Sequence, residues 1–188
     1  RDLGWTMVFG SNASIQGAYQ VDGSELALLQ PGFSEITIGG AFSGNEIVFG
    51  DAADAGTSDI VFQDNVVVNN PVVGGEIHLN QSVTVAGSLR ITGSGFTTYW
   101  NENSVVSASD SIFLDDSIIL TGHVKAVAGS DGSGNMVLGG QAWHIINGNG
   151  QDGADSLEVN APGDVTFAGR IGFAEPAQTE YPQDPFEG

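Results

Sequence analysis

Two acidic, glycine-rich loops hold the chain's best oxygen donors for a hard cation. Asp131-Gly132-Ser133-Gly134-Asn135 resembles the opening of an EF-hand loop. Met136 stands where such a loop needs glycine for its sharp bend, and no glutamate closes it. Gly148, Gly150 and Asp152 match part of a calcium-binding nonapeptide, with Asn147 in place of its first glycine. The candidate calcium ligands are therefore Asp131 and Asn135 in one loop and Asp152 and Asp155 in the other. The competing reading is that these acids are solvated turns.

Other residue combinations carry less chemistry. Gly148-Asn149-Gly150-Gln151-Asp152-Gly153 spells G-x-G-x-x-G, but a dinucleotide site needs a helix N-terminus after it. Ser156-Leu157-Glu158-Val159 alternates as a strand instead, so the glycines read as a turn. Asp115-Asp116 has the composition of a glycosidase pair. Adjacent residues on a strand face opposite ways and do not flank one bond, so turn chemistry is expected there. His78, His123 and His144 fall in alternating strands without ligand spacing. Arg1, Arg90, Lys125 and Arg170 are the only bases, too scattered for the cation-rich groove of a polysaccharide lyase. Neither G-x-S-x-G nor H-E-x-x-H occurs. No catalytic residue and no organic cofactor is assigned. Tyr99-Trp100, in an expected polar loop from Thr97 to Ser104, offers rings for stacking on a sugar or for closing the end of a core.

The elements that must position these residues share one phrase: an acid or small polar residue, Ile or Val, any residue, Phe or Leu, a short polar step, then a second alternating run. Asp59-Ile60-Val61-Phe62 precedes Asn65-Val66-Val67-Val68, and Glu76-Ile77-His78-Leu79 precedes Ser82-Val83-Thr84-Val85. Ser111-Ile112-Phe113-Leu114 precedes Ser117-Ile118-Ile119-Leu120, and Asp164-Val165-Thr166-Phe167 precedes Gly169-Arg170-Ile171-Gly172. Weaker copies start at Glu35, Glu46 and Asn135. Strands this short cannot bury an apolar face alone, whereas stacked copies make a continuous core. The spacing is uneven: Ile47 to Ile60 is 13 residues, Ile60 to Ile77 is 17 and Ile77 to Ile112 is 35. Strict hexapeptide and nonapeptide repeats are thereby excluded. The expected fold is all-β, a single-stranded parallel β-helix (β-solenoid) with irregular coils of roughly twenty residues. A β-sandwich, whose short strands turn every roughly 8–12 residues, is the alternative.

Residues 1–30 lack the phrase and read as an N-terminal cap or atypical first coil, with strands expected at 5–9 and 25–29; residues 31–174 read as the solenoid. Residues 175–188, with Pro176, Pro182 and Pro185 among four acids, read as a tail or docking arm. Tyr181 and Phe186 are its apolar anchors, suited to a neighbouring subunit in head-to-tail assembly. The start at Arg1, without a basic-then-apolar leader, reads as a processed or excised chain.

Charge narrows the partners. Against 4 bases stand 23 acids, a net charge of −19. Nucleic acid and anionic membrane surfaces repel such a chain, and no apolar run approaches the roughly 18–20 residues of a membrane span. Cations, glycans, cell-surface receptors and further copies of the chain remain. The absence of cysteine does not fix a compartment.

The stretch from Gly153 to Gly172, Gly-Ala-Asp-Ser-Leu-Glu-Val-Asn-Ala-Pro-Gly-Asp-Val-Thr-Phe-Ala-Gly-Arg-Ile-Gly, resembles the repeat unit of filamentous-haemagglutinin-like bacterial surface proteins. Phe33-Ser34-Glu35-Ile36-Thr37-Ile38-Gly39 and Ile91-Thr92-Gly93-Ser94-Gly95 resemble other phrases of those proteins, so the likeness spans residues 33–172 loosely and 153–172 well. It implies a right-handed parallel β-helix on the cell surface or in an extracellular fibre, structural or adhesive, with no catalytic residues. A carbohydrate-binding or carbohydrate-cleaving β-helix of the tailspike kind is the second expectation.

Overall fold

Short runs of Val, Ile, Leu and Phe, alternating with polar residues, form nineteen strands among the described residues of a computed structural model. Those residues are 6–10, 17–40, 46–50, 59–70, 74–93, 95–150 and 155–172. An eight-stranded sheet runs, in spatial order, β19 (Arg170–Ile171), β16 (Ile145–Gly148), β13 (Ser117–Thr121), β10 (Thr97–Asn101), β7 (Glu76–Leu79), β4 (Glu46–Phe49), β1 (Thr6–Phe9) and β2 (Ala18–Val21). A five-stranded sheet runs β17 (Ser156–Asn160), β14 (His123–Ala128), β11 (Val105–Ala108), β8 (Val83–Val85) and β5 (Ile60–Phe62). A six-stranded sheet runs β18 (Val165–Phe167), β15 (Met136–Leu138), β12 (Ile112–Leu114), β9 (Leu89–Gly93), β6 (Val66–Asn70) and β3 (Ile36–Gly39).

Every pairing among these strands is parallel. From β4 onward the chain visits the three sheets in fixed rotation, so each coil adds one strand to each sheet. This is a parallel β-helix, and it excludes the sandwich, which is built from antiparallel sheets. In the middle of the stack, neighbouring coils are joined by polar side chains 23 positions apart. Ser107 Oγ donates to Thr84 Oγ1 at 3.0 Å, and the Val105 N–H donates to Ser82 Oγ at 3.0 Å.

The recurring phrase marks a corner of the coil and not a whole coil. Its copies bridge three different corners: β5 to β6, β7 to β8, and β12 to β13. These copies therefore lie on unlike faces, which makes the intervals between them uneven. Asparagine secures such corners. Asn65 Oδ1 accepts the Ser88 N–H at 2.8 Å and Asn65 Nδ2 donates to the Ser34 carbonyl at 2.8 Å, tying three successive coils. Gly39, at φ +88°, lies so close to the Asn69 carbonyl oxygen that a Cβ there would collide with it.

Period-2 alternation turns one face of each strand inward. Ile47, Ile77, Ile118 and Ile146 form one buried column, with Thr98 between Ile77 and Ile118. Phe49, Leu79, Trp100 and Leu120 form the next. Each fully buried aliphatic or phenyl group contributes about 1.5–3 kcal/mol relative to exposure. Phe49 extends the column by stacking on Phe9 at 5.5 Å and meeting Phe62 edge-on at 6.4 Å.

The expected strand at 25–29 is instead a single helical turn, α1 (Gly23–Leu26). Asp22 accepts the Glu25 N–H at 2.9 Å, while the Glu25 carboxylate accepts the Asp22 N–H at 3.0 Å, a reciprocal cap that outweighs the strand tendency of the leucines. Leu26 enters the core. Among the described residues, no helix is long and apolar enough to cross a membrane.

Candidate functional site

Among the described residues, the outer face of the eight-stranded sheet gathers one group of three close ligating side chains. Glu46 and Glu76 lie opposite each other in the β4–β7 register, and His78 follows Glu76 by two positions, hence on the same face. The His78 Nε2 atom is 2.9 Å from Glu76 Oε2 and 3.6 Å from Glu46 Oε1. Thr6 Oγ1, from β1, donates to Glu46 Oε2 at 3.0 Å. On the other side Tyr99, from β10, stacks on the His78 ring at 5.0 Å with 9° between planes. Four neighbouring strands thus build one polar cluster. Chemically it offers an imidazole nitrogen and two carboxylates.

A second feature lies on the outer face of the six-stranded sheet. Val67, Arg90, Phe113 and Val137 stand in register across β6, β9, β12 and β15. They line a groove of about 550 Å³ that also meets Glu35 and Asp115. A guanidinium beside a phenyl ring and two valines suits a ligand with one apolar face and one acceptor group.

The residues singled out from sequence are dispersed. Trp100 belongs to β10 and not to a polar loop. It is fully buried, with Nε1 lacking a partner among the described residues, so it cannot stack on a sugar. Tyr99 faces outward but is already engaged with His78. Among the described residues the exposed aromatic rings are Tyr19, Phe33, Trp143 and Phe167; Trp143, 68% exposed, meets the His144 ring edge-on at 5.8 Å.

In the first acidic loop, Asp131 Oδ1 accepts the Ser133 N–H at 2.9 Å and the Ser133 hydroxyl at 3.1 Å. These bonds, the backbone one foremost, hold its carboxyl below the ordinary range. Asn135 Oδ1 accepts the Asp164 N–H at 2.9 Å, a corner bond between coils. Asp155 Oδ2 accepts the Asn149 N–H at 3.0 Å. Among the described residues, Asp131 and Asp155 join no group of three His, Asp or Glu whose ligand atoms come within 4.8 Å of one another. Asp152, Tyr181 and Phe186 lie outside the described residues.

Asp115 and Asp116 part company as expected of neighbours. Asp116 points into the solenoid, 1% exposed, and accepts the Thr98 hydroxyl on Oδ2 at 2.5 Å. Burial pushes its carboxyl up to about 8 against the opposing pull of the Thr98 bond. An acid sealed in the core cannot flank a glycosidic bond in solvent.

The last feature is the end of the described stack. Val165, Phe167 and Ile171 continue inward columns, being in register with Met136, Leu138 and Ile146. Yet they are 39%, 40% and 62% exposed, because among the described residues β17, β18 and β19 have strand partners on one side only. No family model, no curated protein and no solved structure matches this chain.

Proposed function

We propose that the chain is a structural or adhesive β-solenoid of the cell surface or an extracellular fibre, acting by self-association and binding and not by catalysis. The observation that carries this reading is the last described coil, β17 to β19. Its core-facing Val165, Phe167 and Ile171 are exposed beside three parallel edges that have no strand partner among the described residues. Open edges with apolar side chains are a template for a further coil. Stacking another copy of the chain there would extend both the ladder and the core.

Three further observations favour the same reading. Asp116 is withdrawn from Asp115 into the core, which removes the pair as a hydrolytic site. The Arg90–Phe113 groove offers a lateral surface for a glycan or receptor, the binding half of the role. The likeness of residues 153–172 to filamentous-haemagglutinin-like repeats adds the extracellular setting.

Light scattering over a concentration series tests the association. Mass should rise with concentration, and Phe167→Asp with Ile171→Asp should hold the chain monomeric with unchanged circular dichroism. A parent chain that stays monomeric throughout, or a doubly substituted chain that associates equally well, would defeat the reading.

A further inference from the structure

We propose that Glu46, Glu76 and His78 form a three-ligand site for a divalent metal ion of the zinc class, open to water on its fourth side. Ligand spacing is the first argument. Zinc bonds to imidazole nitrogen and carboxylate oxygen are about 2.0–2.2 Å, so a tetrahedron places neighbouring donors about 3.3–3.6 Å apart. Of the two nitrogen-to-oxygen distances, 3.6 Å matches that edge and 2.9 Å falls short of it, and all three donors come within 4.8 Å of one another. Small side-chain rotations suffice to close the site.

The supporting shell is the second argument. The Thr6 hydroxyl occupies Glu46 Oε2 and leaves Oε1 turned toward His78. The Tyr99 ring fixes the plane of the imidazole. Ligands oriented by outer partners in this way are a general property of metal sites. Neither contact is needed by a simple surface ion pair.

Charge supplies the third. Glu46 and Glu76 are direct cross-strand neighbours on a chain of net charge −19, and like charges so placed repel. A dication between them turns that repulsion into attraction and pins β4 to β7. The donor set also selects the metal. One imidazole and two carboxylates suit zinc and its neighbours, whereas calcium takes six to eight oxygens. His78 is 23% exposed in its side chain, and Glu46 and Glu76 are 40% and 47% exposed, so the site is open to entry.

The test uses the full chain stripped of metal by a chelator. Zinc is titrated by calorimetry, and cobalt is followed by its visible absorption. One saturating equivalent is expected, with tetrahedral-type cobalt bands. His78→Gln and Glu76→Gln should each weaken binding at least tenfold, Thr6→Val should weaken it less, and His123→Gln should leave it unchanged. Zinc should raise the melting temperature of the parent and not of His78→Gln, while calcium at matched ionic strength raises neither through this site. Circular dichroism confirms that each variant is folded. Absence of a saturable one-to-one isotherm, or zinc affinity equal in the parent and His78→Gln, overturns the site and leaves the three side chains as an ion pair only.

Discussion

Leu114 and Phe167 occupy the same inward column of the six-stranded sheet, two strands apart through Leu138. Leu114 is fully buried and Phe167 is 40% exposed. Both sit at the same position of the same phrase, so their own sequences do not explain the difference. What differs is the neighbour: Leu114 has a coil on each side, and Phe167 has one on a single side among the described strands. In a solenoid, burial is a property of the stack. A residue inherits its environment from sequence some 23 positions away, as the side-chain bonds between coils show.

The largest expected effect follows from that contrast. Leu114→Ala should cost about 2–5 kcal/mol, the range for a large-to-small change in a closed core. Phe167→Ala removes more atoms but should cost less than half as much when measured on dilute monomer. Urea midpoints at unchanged slope decide it. Equal losses would mean that the terminal coil is covered in solution, and the contrast between middle and end would fail.

The same dependence on neighbours sets what could be read from sequence. All-β class, short strands and parallel stacking were legible, because the alternation in Ile77–Leu79 or Ile112–Leu114 is local and stacking is what such short strands require. Coil register was not, since three corners share one phrase. Trp100 reads as loop because Thr97-Thr98-Tyr99-Trp100 gives no alternation signal: a threonine and a tryptophan share the inner face. Glu25 reads as strand because the leucines after it mask a capping box that Asp22 and Glu25 spell out. The Glu46–Glu76–His78 cluster joins residues from separate coils. One signal for it existed: superposing the phrases Glu46-Ile47-Val48-Phe49 and Glu76-Ile77-His78-Leu79 lays Glu46 on Glu76.

A smaller effect sharpens the comparison through pH. Asp116, in the closed middle of the stack, holds its proton up to about pH 8, while an exposed aspartate releases it near 3.8. Between those values the folded chain binds at Asp116 a proton that the unfolded chain has lost, so the contribution of Asp116 to stability is greatest near the acid limit. It then falls as pH rises, on the order of 1 kcal/mol per unit, and levels off above about 8. Asp116→Asn keeps an oxygen for the Thr98 hydroxyl and carries no charge. It should flatten this slope and stabilise the chain at pH 8. Denaturation midpoints of both proteins at pH 5 and 8 measure it, and parallel curves would show that Asp116 is hydrated and ionised in the folded state.

The smallest effect belongs to the end coil and runs the opposite way. Lys125 on β14 meets Glu158 on β17 at 2.6 Å, tying the last coil to the one before it. The hydrogen bond from Lys125, with its charge, holds the Glu158 carboxyl below its ordinary 4.5. The stabilisation is therefore complete above about that value and is lost as pH falls through the lowered one. Acidification thus tightens the middle through Asp116 while it loosens the end through Glu158. The pair is solvent-exposed, so global unfolding will scarcely register it, and the appropriate readout is local. Amide exchange in β17 should quicken in Glu158→Gln, or in 1 M salt, where screening acts over about 3 Å. Protection in β12 should not change in either case. Exchange that quickens equally in β12 and β17 would show that the coils open as one unit, and that the end of this stack is no weaker than its middle.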